Sequence, residues 1–201
     1  MPQSRRYKKK KSAGKAILAW IIVLAILAAA VFVFVSVFYE DTKKKLDEMN
    51  YPRTYSTYVE KAAKDYELDP ALIYAVIHTE SGFDPKAESG VGAKGVMQMM
   101  PSSFEWLQEQ RGCAGQYTED DLFDPEICID YGSYLLKYFY DYYGTERSAI
   151  AAYNAGFVVS DWLNDTNYSS DGKNLDSIPY PETENYVDKV ESAKEMYIKL
   201  Y

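Results

Sequence analysis

Residues 69–101 read DPALIYAVIHTESGFDPKAESGVGAKGVMQMMP, and the reading of this stretch decides the fold. Asp69 followed by Pro70 opens a helix, because the Asp side chain caps free backbone N–H groups and Pro fits the first helical position, where no donor is needed. Leu72, Ala75, Val76 and Thr79 share one face, and Ile73, Ile77 and Glu80 continue round the next, so the spacing predicts a helix buried on most sides. Ser81-Gly82 ends it. Glu80 therefore falls in the last turn, at the negative end of the helix dipole and beside apolar neighbours. Both effects disfavour its charged form, and a raised pKa is what a general acid needs near neutral pH. The loop that follows has Gly90, Gly92 and Gly95, which permit a tight backbone path, and Gln98, whose amide offers both a donor and an acceptor.

Working outward toward the N-terminus, residues 1–15 form a basic tail with seven Lys and Arg and no acid, and Ala16 to Phe38 are uncharged. As a helix that apolar run spans ~34 Å, against ~30 Å for the hydrocarbon core of a bilayer, and is read as a single transmembrane helix. A cleaved signal peptide competes with this, since Ala28-Ala29-Ala30 suits a peptidase, but the run exceeds the usual h-region. The basic tail, set against the mixed charges of the 39–50 linker, predicts a cytoplasmic N-terminus and an external domain over 51–201. Beyond the tail 15 basic residues face 30 acidic ones, a net charge of −15, so nothing points to nucleic acid. No EF-hand spacing supports calcium. Neither a Ser-His-Asp triad nor an HExxH site can be assembled around the only histidine, His78, and a zinc site would need more ligands, so His78 is read as structural or surface and no metal or cofactor is expected.

Toward the C-terminus, helical patterns run over about 55–67, from a Ser102/Glu105 capping box, from Asp124-Pro125 to Gly144 with Ile127, Tyr131, Leu135, Tyr138 and Tyr142 on the core face, and through ERSAIAAYNAG to Gly156. A final helix carries Tyr186, Val190, Ala193, Tyr197 and Leu200 as its core stripe. The chain is thus mainly α. Cys113 and Cys128, the only cysteines, lie on the expected outer side, which predicts one disulfide closing a loop of ~15 residues.

Three motifs in order carry a resemblance. They are Glu80-Ser81 with Gly92, Gly95, Gln98 and Met100-Pro101; Ala152-Tyr153-Asn154-Ala155-Gly156; and Ile178-Pro179-Tyr180-Pro181-Glu182-Thr183 with Tyr186-Val187. Together they resemble the soluble lytic transglycosylase family of bacterial cell-wall enzymes. The resemblance implies a goose-type lysozyme-like helical domain that cleaves peptidoglycan glycan strands without a cofactor. It implies Glu80 as sole general acid and base, giving a 1,6-anhydro product, with Ser89, Gln98, Met100, Tyr153, Asn154, Glu182 and Tyr186 as substrate-binding or site-shaping residues. Two other readings stay open: a hydrolytic muramidase on the same fold, with Asp84, Glu88 or Glu182 activating water, and a non-catalytic wall-binding component of an envelope-spanning machine whose partners the sequence does not name.

Overall fold

The computed structural model describes residues 4–201, with side chains from Gly14 onward, so the first three residues of the basic tail and its side chains up to residue 13 lie outside the described part. The chain divides into two compact units, Met1–Asn50 and Tyr51–Tyr201. The first is one helix, α1 (Ser4–Asn50), which continues without a break through the linker predicted for 39–50. Its apolar residues are exposed, Phe32 at 72%, and it is long and apolar enough to cross a membrane.

The second unit is mostly helical, and among its described residues the only β pairing is a pair of isolated bridges. α2 (Ser56–Tyr66) buries Val59, Ala62 and Ala63. α3 (Pro70–Ser81) starts as its sequence predicts, the Asp69 carboxylate accepting from the Ala71 N–H at 2.9 Å, and stops at Gly82 in the left-handed region. Leu72 to Ile77 are all buried, which makes α3 the central helix of the core. α4 (Pro101–Gln110) begins earlier than the Ser102/Glu105 pattern predicts. Pro101 occupies the first turn with φ already fixed, and it holds the preceding Met100 extended, so the helix starts there without a side-chain cap. A true capping box sits instead at Thr118 and Asp121, opening a 3-10 turn over Glu119–Phe123.

α5 (Pro125–Tyr143) is capped by Asp124 and ends at Gly144. Its core face is rotated from the predicted stripe: Cys128, Ile129, Gly132, Leu136 and Phe139 face inward with Tyr131 and Leu135, whereas Ile127 and Tyr138 are half-buried and Tyr142 is 57% exposed. The cause is that α5 packs against both α2 and α6, which moves the burial axis off a single stripe. α6 (Glu146–Ala155) starts on a Thr145 cap and leads through a 3-10 turn at Gly156–Val158 into α7 (Val159–Asn164). α8 (Pro181–Leu200) packs against α3 and α6, burying Tyr186, Val187, Val190, Ala193 and Tyr197, with Leu200 half-buried at its end.

Candidate active site

Glu80 is the penultimate residue of α3, and the chain then turns through Gly82 into the glycine-rich loop. Burial raises the Glu80 carboxyl from its ordinary 4.5 to about 7. The Tyr186 hydroxyl, arriving from the first turns of α8, pulls weakly in the opposite direction by favouring the charged form, yet it makes no full hydrogen bond to any protein group. No cation and no second carboxylate acts on Glu80 among the described residues. Tyr153 from α6 lies close enough for the Glu80 charge to oppose its ionisation, and its hydroxyl donates to the Met97 carbonyl at 2.9 Å. Burial keeps both phenols neutral, Tyr153 and Tyr186 each being raised well above 10. The geometry is thus a single half-buried, desolvated carboxylic acid between two neutral phenols, one bonded to the loop and one turned toward the acid.

The loop is tied to the end of α3 by the Ser81 hydroxyl, which donates to the Val96 carbonyl at 2.8 Å. Gly95 has φ +75°, and a Cβ there would lie 2.0 Å from the Leu122 carbonyl oxygen, so only glycine fits between the loop and the 3-10 turn. Ser89 and Gln98 support the loop with part of their polar capacity: the Ser89 hydroxyl accepts from the Ala93 N–H at 2.9 Å, and the Gln98 amide donates to the carbonyls of Ala87 and Gly95 at 3.0 Å. The serine proton and the Gln98 carbonyl oxygen are left for other partners. Met100 is exposed at the start of α4. Asn154 joins the second motif to the third, its Oδ1 accepting from the Thr183 hydroxyl at 2.7 Å, and Glu182 is exposed one residue before.

Two residues support this loop in ways that the sequence did not indicate. The buried Lys94 side chain pairs with Glu119 at 3.1 Å and Asp120 at 3.2 Å, fastening the loop to the 3-10 turn; the only sequence trace is a lysine within the loop and an acidic run 25 residues on. The other is Cys128, whose sulfur accepts from the Met97 N–H at 3.4 Å beneath the loop. The predicted disulfide is therefore corrected: Cys113 and Cys128 are both free thiols. Cys128 faces the loop while the Cys113 sulfur lies 3.3 Å from the Tyr131 hydroxyl, so each thiol is turned to its own partner, and separation in sequence does not orient the two Cβ vectors. His78 stacks on Tyr51 with ring centres 4.8 Å apart and is part of the packing, as expected.

The arrangement is one half-buried acid at a helix end beside a glycine-bridged loop, in a helical domain of the lysozyme-like class. The family model for the transglycosylase SLT domain matches residues 57–175, and the chain belongs to that family. It is 33% identical over 146 residues to the soluble lytic murein transglycosylase of Escherichia coli K12, covering 71% of this chain and 23% of that protein. It is 30% identical over 167 residues to the membrane-bound lytic murein transglycosylase C of Actinobacillus succinogenes, covering 72% and 47%. The chain thus spans about a quarter of the length of the first relative and less than half of the second. Among solved structures, the 70 kDa soluble lytic transglycosylase of E. coli aligns with TM-score 0.68 at 28% identity, over 76% of this chain and 25% of that one. An inactive mutant of the lytic transglycosylase Slt of Pseudomonas aeruginosa aligns with TM-score 0.66 at 30% identity, over the same shares.

Proposed function

We propose that this chain is a membrane-anchored peptidoglycan lytic transglycosylase that cleaves the β-1,4 bond between N-acetylmuramic acid and N-acetylglucosamine, with Glu80 as its only acid and base. The observation that carries the reading is the half-buried Glu80 carboxyl, protonated up to about pH 7 by desolvation and without a second carboxylate acting on it. An ordinary glycosidase needs such a second group. Asp84, Glu88 and Glu182, the carboxylates that a muramidase on this fold would use, are all exposed, and none of them perturbs Glu80.

In the proposed reaction Glu80 gives its proton to the glycosidic oxygen as the bond from C1 to that oxygen breaks, and the positive charge developing on the muramoyl ring is shared with its 2-acetamido group. The resulting Glu80 carboxylate then takes the proton of the C6 hydroxyl, whose oxygen closes on C1. The products are a 1,6-anhydromuramoyl end and a free N-acetylglucosamine hydroxyl; no water is consumed and Glu80 is protonated again. Tyr153 and Tyr186 stay neutral and frame the acid. Ser89 and Gln98 offer the loop's remaining hydrogen-bonding groups to the acetamido and hydroxyl groups of the sugar, and Met100, Asn154 and Glu182 line the approach. A glutamate-to-glutamine change inactivates the P. aeruginosa relative, which agrees with one acid carrying the chemistry. For location, α1 serves as the anchor through Ala16 to Phe38, with the basic tail inside and the 51–201 domain outside. A relative named as membrane-bound fits this arrangement.

The test is mass spectrometry of muropeptides released from peptidoglycan by the detergent-solubilised chain, beside its Glu80→Gln variant. Anhydromuropeptides lost in the variant are the expected result. Reducing, hydrated ends would make the protein a muramidase, and no product from either protein would favour a non-catalytic wall-binding role.

A further inference from the structure

Two segments that begin at the candidate site converge on one aromatic cluster outside it. Met100 flanks the start of α4, and Ser103 and Trp106 follow at three-residue intervals on one face, so Trp106 lies ~9 Å along the helix from Met100. From the other side, Phe157 comes directly after Gly156, the residue that closes the motif holding Tyr153. The rings of Trp106 and Phe157 meet with centres 6.4 Å apart and planes at 88°. Both pack on α5: Trp106 lies 5.0 Å from Tyr138, and Phe157 lies 6.2 Å from Tyr138, 5.4 Å from Phe139 and 5.8 Å from Tyr142. The Tyr143 hydroxyl donates to the Phe157 carbonyl at 3.4 Å, which holds the turn in place. None of these rings belongs to the three motifs.

The cluster is ordered and yet open. Phe139 is buried beneath it and Trp106 and Tyr138 are half-buried, while Phe157 is 49% and Tyr142 57% exposed. Tyr138 and Tyr142 sit one turn apart with planes within 14°, and Phe157 stands across them at 85° and 83°. Such edge-to-face packing fixes the orientation of each ring without covering the outer ones. Contiguous exposed apolar patches on folded domains mark interaction sites, and rigid aromatic rings lose little conformational entropy when a ligand lands on them. Charge narrows the choice of ligand. The rings themselves are uncharged, and beyond its basic tail the chain carries 30 acidic against 15 basic residues. An anionic lipid surface or a second acidic copy is repelled by such a domain. Neutral N-acetylated sugars are not: their C–H faces lie flat on aromatic rings, and the hydroxyls of Tyr138 and Tyr142 both donate and accept.

We propose that Trp106, Tyr138, Tyr142 and Phe157 form an accessory platform for N-acetylated sugar residues of the glycan strand, beyond those held around Glu80, so that the chain favours long strands over short ones. The inference rests on the glycan-cleaving reading of Glu80 and extends it along the strand: Met100 and Gly156 mark where the site ends and the platform begins.

The experiment titrates the detergent-solubilised full chain, carrying Glu80→Gln to block cleavage, with di-N-acetylchitobiose and with hexa-N-acetylchitohexaose, followed by calorimetry and tryptophan fluorescence. The hexamer should bind about tenfold more tightly than the dimer and change a fluorescence signal that is assigned to Trp106 by its loss in Trp106→Phe. Phe157→Ala and Tyr142→Ala, which truncate exposed rings, should each weaken the hexamer about three- to tenfold and leave the dimer unchanged, a split that a merely structural role would not produce. A hexamer advantage that survives both variants, no hexamer binding, or a Trp106 signal that ignores the hexamer would overturn the proposal. So would self-association of the chain that Phe157→Ala abolishes while hexamer binding stays unchanged, since the patch would then belong to a second copy. If the alanine variants do not fold, the Trp106 signal decides. Anhydromuropeptides from the unaltered chain, with hexamer binding indifferent to the platform, would leave Glu80 in its role and sink only this inference; hydrated ends with platform-dependent binding would do the reverse.

Discussion

α1 and α3 are both apolar helices, and they live in opposite surroundings. The apolar side chains of α1 stand out from their unit, while Leu72 to Ile77 of α3 are closed off on every side. Hydropathy alone does not separate them; length and interruption do. Ala16 to Phe38 run for 23 residues without a charge, a length that matches a bilayer, whereas α3 stops after 12 and places a carboxyl in its last turn. An apolar helix in a lipid solvent gains nothing from an acid, while one in a protein core can use the surrounding apolar mass to hold an acid protonated.

The largest effect expected from breaking this contrast is at that acid. Glu80→Gln keeps the shape and removes the proton, and should lower cleavage by about 10²–10⁴-fold or more with the fold retained, read by product release together with circular dichroism. Next comes the packing of α3: Leu72→Ala should cost about 2–5 kcal/mol in denaturant unfolding of the 51–201 domain, since the site is closed and a cavity is left behind.

A third effect of about 3 kcal/mol follows from linkage. Glu80 holds its proton up to about pH 7 when folded and to 4.5 in its ordinary state, so between those values the folded chain binds more protons than the unfolded one. The stability that this group contributes is full below 4.5 and is lost as pH rises through 7. Glu80→Gln has no such loss, so its stability relative to the unaltered chain should grow by about 3 kcal/mol between about pH 4 and pH 8, measured by urea unfolding at a series of pH values. The same titration should make cleavage fall above about pH 7, as the acid loses its proton. The smallest effect sharpens the contrast from the other side. Leu24→Ala in α1, the counterpart of Leu72→Ala, should leave unfolding of the 51–201 domain within about 0.5 kcal/mol, because Leu24 is exposed and takes no part in that core.

Much of the architecture could be read from local chemistry. Asp69-Pro70, Asp124-Pro125, Gly82 and Gly144 fix helix ends through caps that act within a few residues, and α3 and α5 begin and end where these signals put them. Signals competed at α4, where a capping pattern at Ser102 lost to the fixed backbone of Pro101. Those missed altogether depend on distance. The Tyr153 hydroxyl spends its proton on a carbonyl 56 residues away, Lys94 finds its carboxylates across the loop, and Cys128 turned out to be a support of that loop rather than half of a disulfide. The rotated face of α5 has the same origin, since a stripe drawn for one packing partner fails for a helix with two.

Cys128 has one more consequence. Its thiol is sealed beneath the Met97 backbone and burial pushes its pKa up to about 12, so an alkylating reagent can reach it only when the loop lifts away. Cys113, half-buried, reacts without such an opening and supplies an internal reference. The ratio of the two labelling rates is therefore a stopwatch for how often the floor under Glu80 comes apart, available in the native chain without any introduced cysteine.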